Sequence, residues 1–289
     1  MVGAITHAHP QSKISVTAPA TTPVPSSQHL QLDSVTMAFG QRRVFDELSC
    51  SFPPGRISVL LGGSGSGKST ILRLIGGLVC PLSGRVLVDG EDITGLGPTR
   101  MAAVRDKLGM LFQGGALLDS LTVLENLALP LREHTDLDDA AIGAEVHDRL
   151  ASVGLYDIDD LLPNQLSGGM RKRVALARAI IRKPLILLCD EPFSGLDPIS
   201  TRQVESLLVD INHRRGITIV VVSHHVASTM RMAEQVTILL PHRVVTGTPQ
   251  ALQHHRDPLV KAFLSADLDP PQDAEKLEEV EVMPGRARP

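Results

Sequence analysis

Hydrophobic and polar positions change period several times along this chain. From Leu30 onward Leu30, Leu32, Val35 and Met37 recur at close to every second position, the pattern of a half-buried strand, and residues 44–52 read as its hairpin partner. Residues 57–61 form a short apolar strand, and the segment after it carries Ile71, Leu72, Leu74 and Ile75 at helical spacing. Further strands are predicted at 85–88, 108–112, 185–190, 217–222 and 236–240, with helices at 167–182, 198–214 and 224–234. Strands alternating with helices predict an α/β fold whose core sheet is mainly parallel and covered by helices. The first hairpin adds an antiparallel N-terminal β-subdomain. Residues from about 114 to 170 lack a buried-strand run and read as an inserted helical subdomain.

The flanks have a different character. Residues 1–29 hold Pro10, Pro19, Pro23 and Pro25 among Ser, Thr and Ala with Lys13 as the one formal charge, a composition unable to bury a core, and are expected to form a flexible lead-in. Residues 266–289 carry Asp267, Asp269, Asp273, Glu275, Glu278, Glu279 and Glu281. This acidic, extended tail reads either as a solvated end or as a docking arm for a neighbouring subunit. The folded unit is therefore expected over 30–265.

Composition narrows the chemistry. In 289 residues, 28 Lys and Arg stand against 32 Asp and Glu, a net charge of −4 that argues against a basic nucleic-acid-binding domain. With no Trp and Tyr156 as the single Tyr, stacking platforms for single-stranded nucleic acid are nearly missing. Cys50, Cys80 and Cys189 show no CxxC spacing. They are expected to be small buried hydrophobes in a reducing compartment, not a disulfide framework or a zinc site. No apolar run approaches the roughly 18–20 residues that cross a bilayer, and no signal peptide is visible at the start. The chain reads as cytoplasmic, though a partner could hold it at a membrane.

The strand at 57–61 runs into Gly62-Gly63-Ser64-Gly65-Ser66-Gly67-Lys68-Ser69-Thr70, a P-loop in its required context of strand, loop and helix. Glycines let successive backbone N–H groups converge on a polyphosphate, and the helix that follows adds its positive dipole end. Lys68 can reach the β- and γ-phosphates, and the Ser69 hydroxyl is placed to ligate Mg²⁺. A second apolar strand ends in Asp190 and Glu191. Asp190 is expected near the Mg²⁺ sphere, and Glu191 is suited to orient or deprotonate an attacking water.

Four further motifs fall in a fixed order. Gln113 follows the strand at 108–112; Leu166-Ser167-Gly168-Gly169-Met170 opens a helix; Ser194-Gly195-Leu196-Asp197 follows Glu191; and Ser223-His224 ends the next strand. With the P-loop, this set resembles the nucleotide-binding subunit of an ATP-binding cassette (ABC) transporter over roughly residues 30–265. The resemblance implies an ABC-type P-loop NTPase that hydrolyses ATP with Mg²⁺. It implies that Phe39 stacks on adenine and that residues 62–70 hold the phosphates. Gln113 would contact Mg²⁺ and the attacking water and relay to the membrane partner, and His224 would contact the γ-phosphate. Ser69, Gln113 and Asp190 would surround the metal. Ser167, Gly168, Gly169 and Asp197 would touch ATP held by a second copy, which requires a head-to-tail dimer with two composite sites. Met170 stands where such proteins commonly have Gln; the backbone cradle does not need that side chain, so hydrolysis is expected to survive. His225 receives no role.

Residues 112–118, 121–126 and 130–135, the segments 166–170 and 191–199 and the closing Pro249-Gln250-Ala251-Leu252 are similar to the ATPases of the maintenance-of-lipid-asymmetry (Mla) phospholipid transporters. That similarity implies two copies under an integral-membrane permease, on the cytoplasmic face of the inner membrane of a Gram-negative bacterium. A small cytoplasmic accessory subunit and a periplasmic lipid-binding protein would complete the assembly. Another ABC importer, of the Mce lipid type or serving small solutes such as amino acids, would use the same catalytic residues. A non-transport ABC ATPase fits less well, since the chain has one P-loop and no sustained heptads.

Overall fold

The computed structural model describes residues 29–241 and 243–265; residues 1–28 of the lead-in and the acidic tail lie outside the described residues. In chain order the elements are β1 (Leu30–Phe39), β2 (Arg42–Phe52), β3 (Ile57–Gly62), α1 (Lys68–Ile75), β4 (Ser83–Val88), β5 (Glu91–Asp92), α2 (Pro98–Asp106), β6 (Leu108–Leu111), α3 (Val123–His134) and α4 (Asp139–Ser152). After a short turn at Pro163–Gln165 come α5 (Gly168–Ile180), β7 (Ile186–Asp190), α6 (Pro198–Arg215), β8 (Thr218–Val222), α7 (Val226–Met232), β9 (Gln235–Leu240), β10 (Arg243–Gly247), α8 (Pro249–Gln253) and α9 (Pro258–Ser265).

Two sheets result. The core sheet has the order β10-β9-β3-β8-β7-β6, parallel except where β10 runs back along β9. The other is antiparallel, β2-β1-β4-β5. Strands β3, β7 and β8 are buried along their whole length, which is why they read as predominantly apolar runs. Their side chains alternate between two cores. Val59, Leu61, Leu187, Cys189, Ile219 and Val221 pack with helices α5 and α6. Leu60, Ile186, Leu188, Val220 and Val222 face α1 and the antiparallel sheet. Each fully buried Leu, Ile or Val contributes about 1.5–3 kcal/mol of transfer free energy, so burial on both faces stabilises the sheet that presents the phosphate loop.

The inserted segment has its own core, in which Val123, Leu127 and Leu131 of α3 meet Ile142, Val146 and Leu150 of α4 and Val174 and Ala177 of α5. Helix α3 starts on a capping box: Thr122 Oγ1 accepts from Glu125 N at 3.2 Å, and Glu125 Oε2 accepts from Thr122 N at 2.8 Å. Helix α5 belongs to both bodies, with one face in the insertion and the other on the core sheet.

The structure departs from the sequence-based expectation in several places. The helix expected at 224–234 is only Val226–Met232, because His224 stays in the loop beyond β8 and Ala233 is already extended toward β9. Helix α2 was not anticipated: it buries only Met101 and Val104 among arginines, leaving no visible period, although Pro98 at its first position is a start signal. Strand β10 and helices α8 and α9 were likewise missed. Cys189 is buried, but Cys50 is half-buried and Cys80 is exposed, so the expectation of three buried thiols fails for the last. Among the described residues no helix is long and apolar enough to cross a membrane.

Candidate nucleotide site

The site begins where β3 leaves the core sheet. Helix α1 starts at Gly67, whose φ of 94° is open to glycine and whose Cβ, if present, would lie 2.4 Å from the Phe45 ring on β2. No side chain caps this helix, and its first turn carries no acidic residue. Its leading N–H groups are therefore left for an anion. Lys68 reaches back over the loop and donates from Nζ to Gly62 O at 2.8 Å and to Gly63 O at 2.9 Å. Burial pulls the Lys68 pKa below the ordinary lysine value, and the neighbouring Glu191 and Asp190 carboxylates oppose that shift. Ser66 Oγ is buried without a hydrogen-bond partner among the described residues.

Ser69 Oγ donates to Asp190 Oδ1 at 2.9 Å, joining the P-loop to the end of β7. Burial raises the Asp190 pKa, and the Ser69 hydrogen bond acts the other way. A hydroxyl and a poorly hydrated carboxylate, side by side at the phosphate loop, are hard oxygen donors of the kind Mg²⁺ selects. The residues present fit that ion.

Glu191 follows in the left-handed region, φ 46°, its N–H donating to Val222 O at 2.9 Å. A non-glycine residue in this conformation costs of order 1–3 kcal/mol and persists only when its surroundings enforce it. Its side chain is 12% exposed, whereas that of His224 is 65% exposed. Glu191 Oε2 lies 2.9 Å from His224 Nδ1, close in distance but out of line for a hydrogen bond.

Beside the loop is an open pocket of about 310 Å³ walled by Phe39, Arg42, Val44, Gly65 and residues 67–70. Phe39, at the end of β1, is 47% exposed and so is not a core phenylalanine. Gly63 and Ser64 are exposed. Arg42 Nη2 stands 3.4 Å from Gly65 O. Neither Arg42 nor Val44 was singled out from sequence; their position just after Phe39 on the same hairpin was the available signal.

Gln113 is exposed, and the contact seen is made by its main chain: Gln113 O accepts a short hydrogen bond from Lys172 Nζ. Of the three residues expected around the metal, the structure joins Ser69 to Asp190, while Gln113 is tied to α5.

The other glycine-bearing helix start lies elsewhere. Ser167 Oγ caps α5 by accepting from Met170 N at 3.2 Å. Ser167 and Gly168 are exposed. A Cβ on Gly169 would meet Ser200 Oγ at 2.8 Å, and one on Gly168 would face Leu196 and Gly195. Asp197 caps α6, its Oδ1 accepting from Ile199 N at 2.9 Å and Ser200 N at 3.0 Å, while Ser200 Oγ donates to Oδ2. These bonds hold its carboxyl below the usual carboxylate range. The start of α5 therefore lies against the 195–200 segment, and none of these residues lines the pocket beside the P-loop. His225, without an expected role, is structural: its Nδ1 lies 2.8 Å from Ser228 Oγ, and its ring packs at a tilt on Phe193.

Comparison with known proteins agrees with this geometry. A family model described as "ABC transporter" matches residues 45–194. The intermembrane phospholipid transport system ATP-binding protein MlaF of Escherichia coli K12 is 42% identical over 84% of this chain and 90% of its own length. A probable ribonucleotide transport ATP-binding protein, mkl, of Mycobacterium tuberculosis is 38% identical over 83% of this chain and 67% of its own length. Among solved structures, a dimeric post-hydrolysis ATP-binding cassette bound to ADP and Pi superposes with a TM-score of 0.70 at 30% identity, covering 76% of this chain and 98% of that one.

Proposed function

The chain belongs to the ABC transporter family as an ATP-hydrolysing subunit, and from that premise we propose that it powers phospholipid movement between a bacterial inner membrane and a periplasmic carrier, so maintaining outer-membrane lipid asymmetry. The observation that carries this reading is the 42% identity to the phospholipid transporter ATPase across 90% of that protein's length.

The chemistry follows from the site. Adenine stacks on Phe39, and the phosphates lie over residues 62–70, with Lys68 exchanging the Gly62 and Gly63 carbonyls for the β- and γ-phosphate oxygens. Ser69 and Asp190, with Gln113, would hold Mg²⁺, which would supply charge neutralisation for the phosphates. Glu191 orients the attacking water and takes its proton, and His224, beside it, meets the γ-phosphate. Ser167, Gly168 and Asp197, which are exposed, meet the ATP of a second copy with the buried Gly169 beside them, so two chains pair head-to-tail. The dimer works on the cytoplasmic face of the membrane beneath permease subunits, with a small cytoplasmic accessory subunit and a periplasmic lipid-binding protein in the same assembly.

A second reading, the same engine serving another cargo, is favoured by the 38% identity to the probable ribonucleotide transport protein. Purification of the tagged chain from its native membranes in mild detergent, followed by protein and lipid mass spectrometry, separates the two. A permease accompanied by a lipid-binding periplasmic protein and phospholipid supports the first reading. A permease with a solute-binding protein overturns it and leaves the ATPase mechanism standing.

A further inference from the structure

Buried in the seam between α5, the Gln113 loop and the catalytic turn is a lysine that the motifs do not account for. Lys172 is 7% exposed and sits on α5, whose N-terminus is the Ser167–Gly169 face. Its Nζ donates to Gln113 O and, at 3.2 Å, to Glu191 O. One ammonium therefore joins the main chains of two residues in the hydrolysis machinery to the helix that faces the second copy. Glu191 is also the residue held at φ 46°, and its carbonyl accepts from Ser194 N as well. Charge-assisted hydrogen bonds are about twice as strong as neutral ones, so Lys172 is well suited to hold a turn that would otherwise relax. Arg178, further along α5, grips the next part of the same loop, its Nη2 donating to Gly115 O at 3.2 Å and Ala116 O at 2.7 Å. Of these two cations, Lys172 is the one that also reaches Glu191.

We propose that Lys172 is a positioning residue that ties the signature helix to the Gln113 loop and to the turn at Glu191, so that engagement of Ser167–Gly169 by the partner's nucleotide sets the aim of this chain's own general base. The proposal rests on the composite-dimer reading above. Lys172 touches main-chain atoms alone in these contacts, and its effect belongs in turnover and cooperativity, not in nucleotide affinity.

The test is steady-state MgATP hydrolysis and fluorescent-nucleotide binding on the full chain, as wild type, Lys172→Met and Lys172→Arg. The Met variant is expected to lose about 10- to 100-fold in kcat, the scale of a misaimed reacting group. Its nucleotide Kd should be unchanged and its Hill coefficient for ATP should fall toward one. The Arg variant, which keeps charge and donors, should recover most of the turnover. Wild-type kcat and cooperativity in the Met variant would overturn the proposal, as would a loss of nucleotide affinity matching the loss of kcat. If Lys172→Met does not fold, Lys172→Gln, a neutral donor of lower reach, gives the same comparison. A wild-type chain that turns over ATP without cooperativity would remove the dimer reading, which separates that failure from failure of Lys172.

Discussion

Helices α1 and α5 both begin at glycine-bearing turns and both lack an acidic residue in the first turn, yet they end up in opposite situations. Helix α1 starts uncapped on the buried floor of the core sheet, with Lys68, Asp190 and Glu191 converging on it. Helix α5 caps itself with Ser167 Oγ and points Ser167 and Gly168 outward. A helix N-terminus carries the equivalent of about half a positive charge, so each can take an anion. Only α1 is surrounded by the groups that would do chemistry on one. The comparison teaches that two similar helix starts in one chain differ in their surroundings, and under the proposed dimer the second would cap a nucleotide held by another copy.

The largest effect expected falls on the α1 half. Lys68→Ala should abolish tight ATP binding or turnover, with a loss of at least about 10²–10³, the scale of removing one charge-stabilising donor. Turnover within a few-fold of wild type would mean that phosphate is not bound where the loop stands. Next, Glu191→Gln should lower hydrolysis by about 10²–10⁴, the usual contribution of a general base, while trapping an ATP-bound dimer. Light scattering at saturating MgATP reads the mass, and a monomer there breaks the two-half scheme. Ser167→Arg sharpens the same point from the other side. It lies outside the pocket of its own P-loop, so single-chain ATP binding should persist while turnover is blocked; normal turnover would count against capping in trans. The smallest effect belongs to Phe39→Ala. Base–aromatic stacking contributes about 1–3 kcal/mol, so nucleotide affinity should fall by roughly 5- to 150-fold with kcat little changed. Equal loss of affinity for a nucleotide and for inorganic triphosphate would show that Phe39 holds no base.

What could be read in the sequence, and what could not, divides along physical lines. Strands β3, β7 and β8 were visible because burial on both faces favours near-continuous apolar runs. Helix α2 was invisible because two buried side chains in nine residues make no period. The sheet order, with β3 between β9 and β8, has no local signature. Phe39 was identified through the family resemblance, whereas Arg42 and Val44 needed the hairpin folded over the loop to become wall residues. Gln113 was identified for its side chain, and its main chain proved to be the part held by Lys172.

By itself the sequence determined the α/β class, the phosphate loop and the order of motifs that places the chain in its family. Those features are local: a glycine at a positive φ, a lysine beside it and a buried strand before it leave their mark within a few positions. Tertiary structure alone decided which groups meet. Ser69 finds Asp190 across 121 positions and Lys172 finds Gln113 across 59. Hydrogen bonds between groups so far apart in the chain depend on how the sheet and the helices stack, and no local pattern of residues encodes that distance.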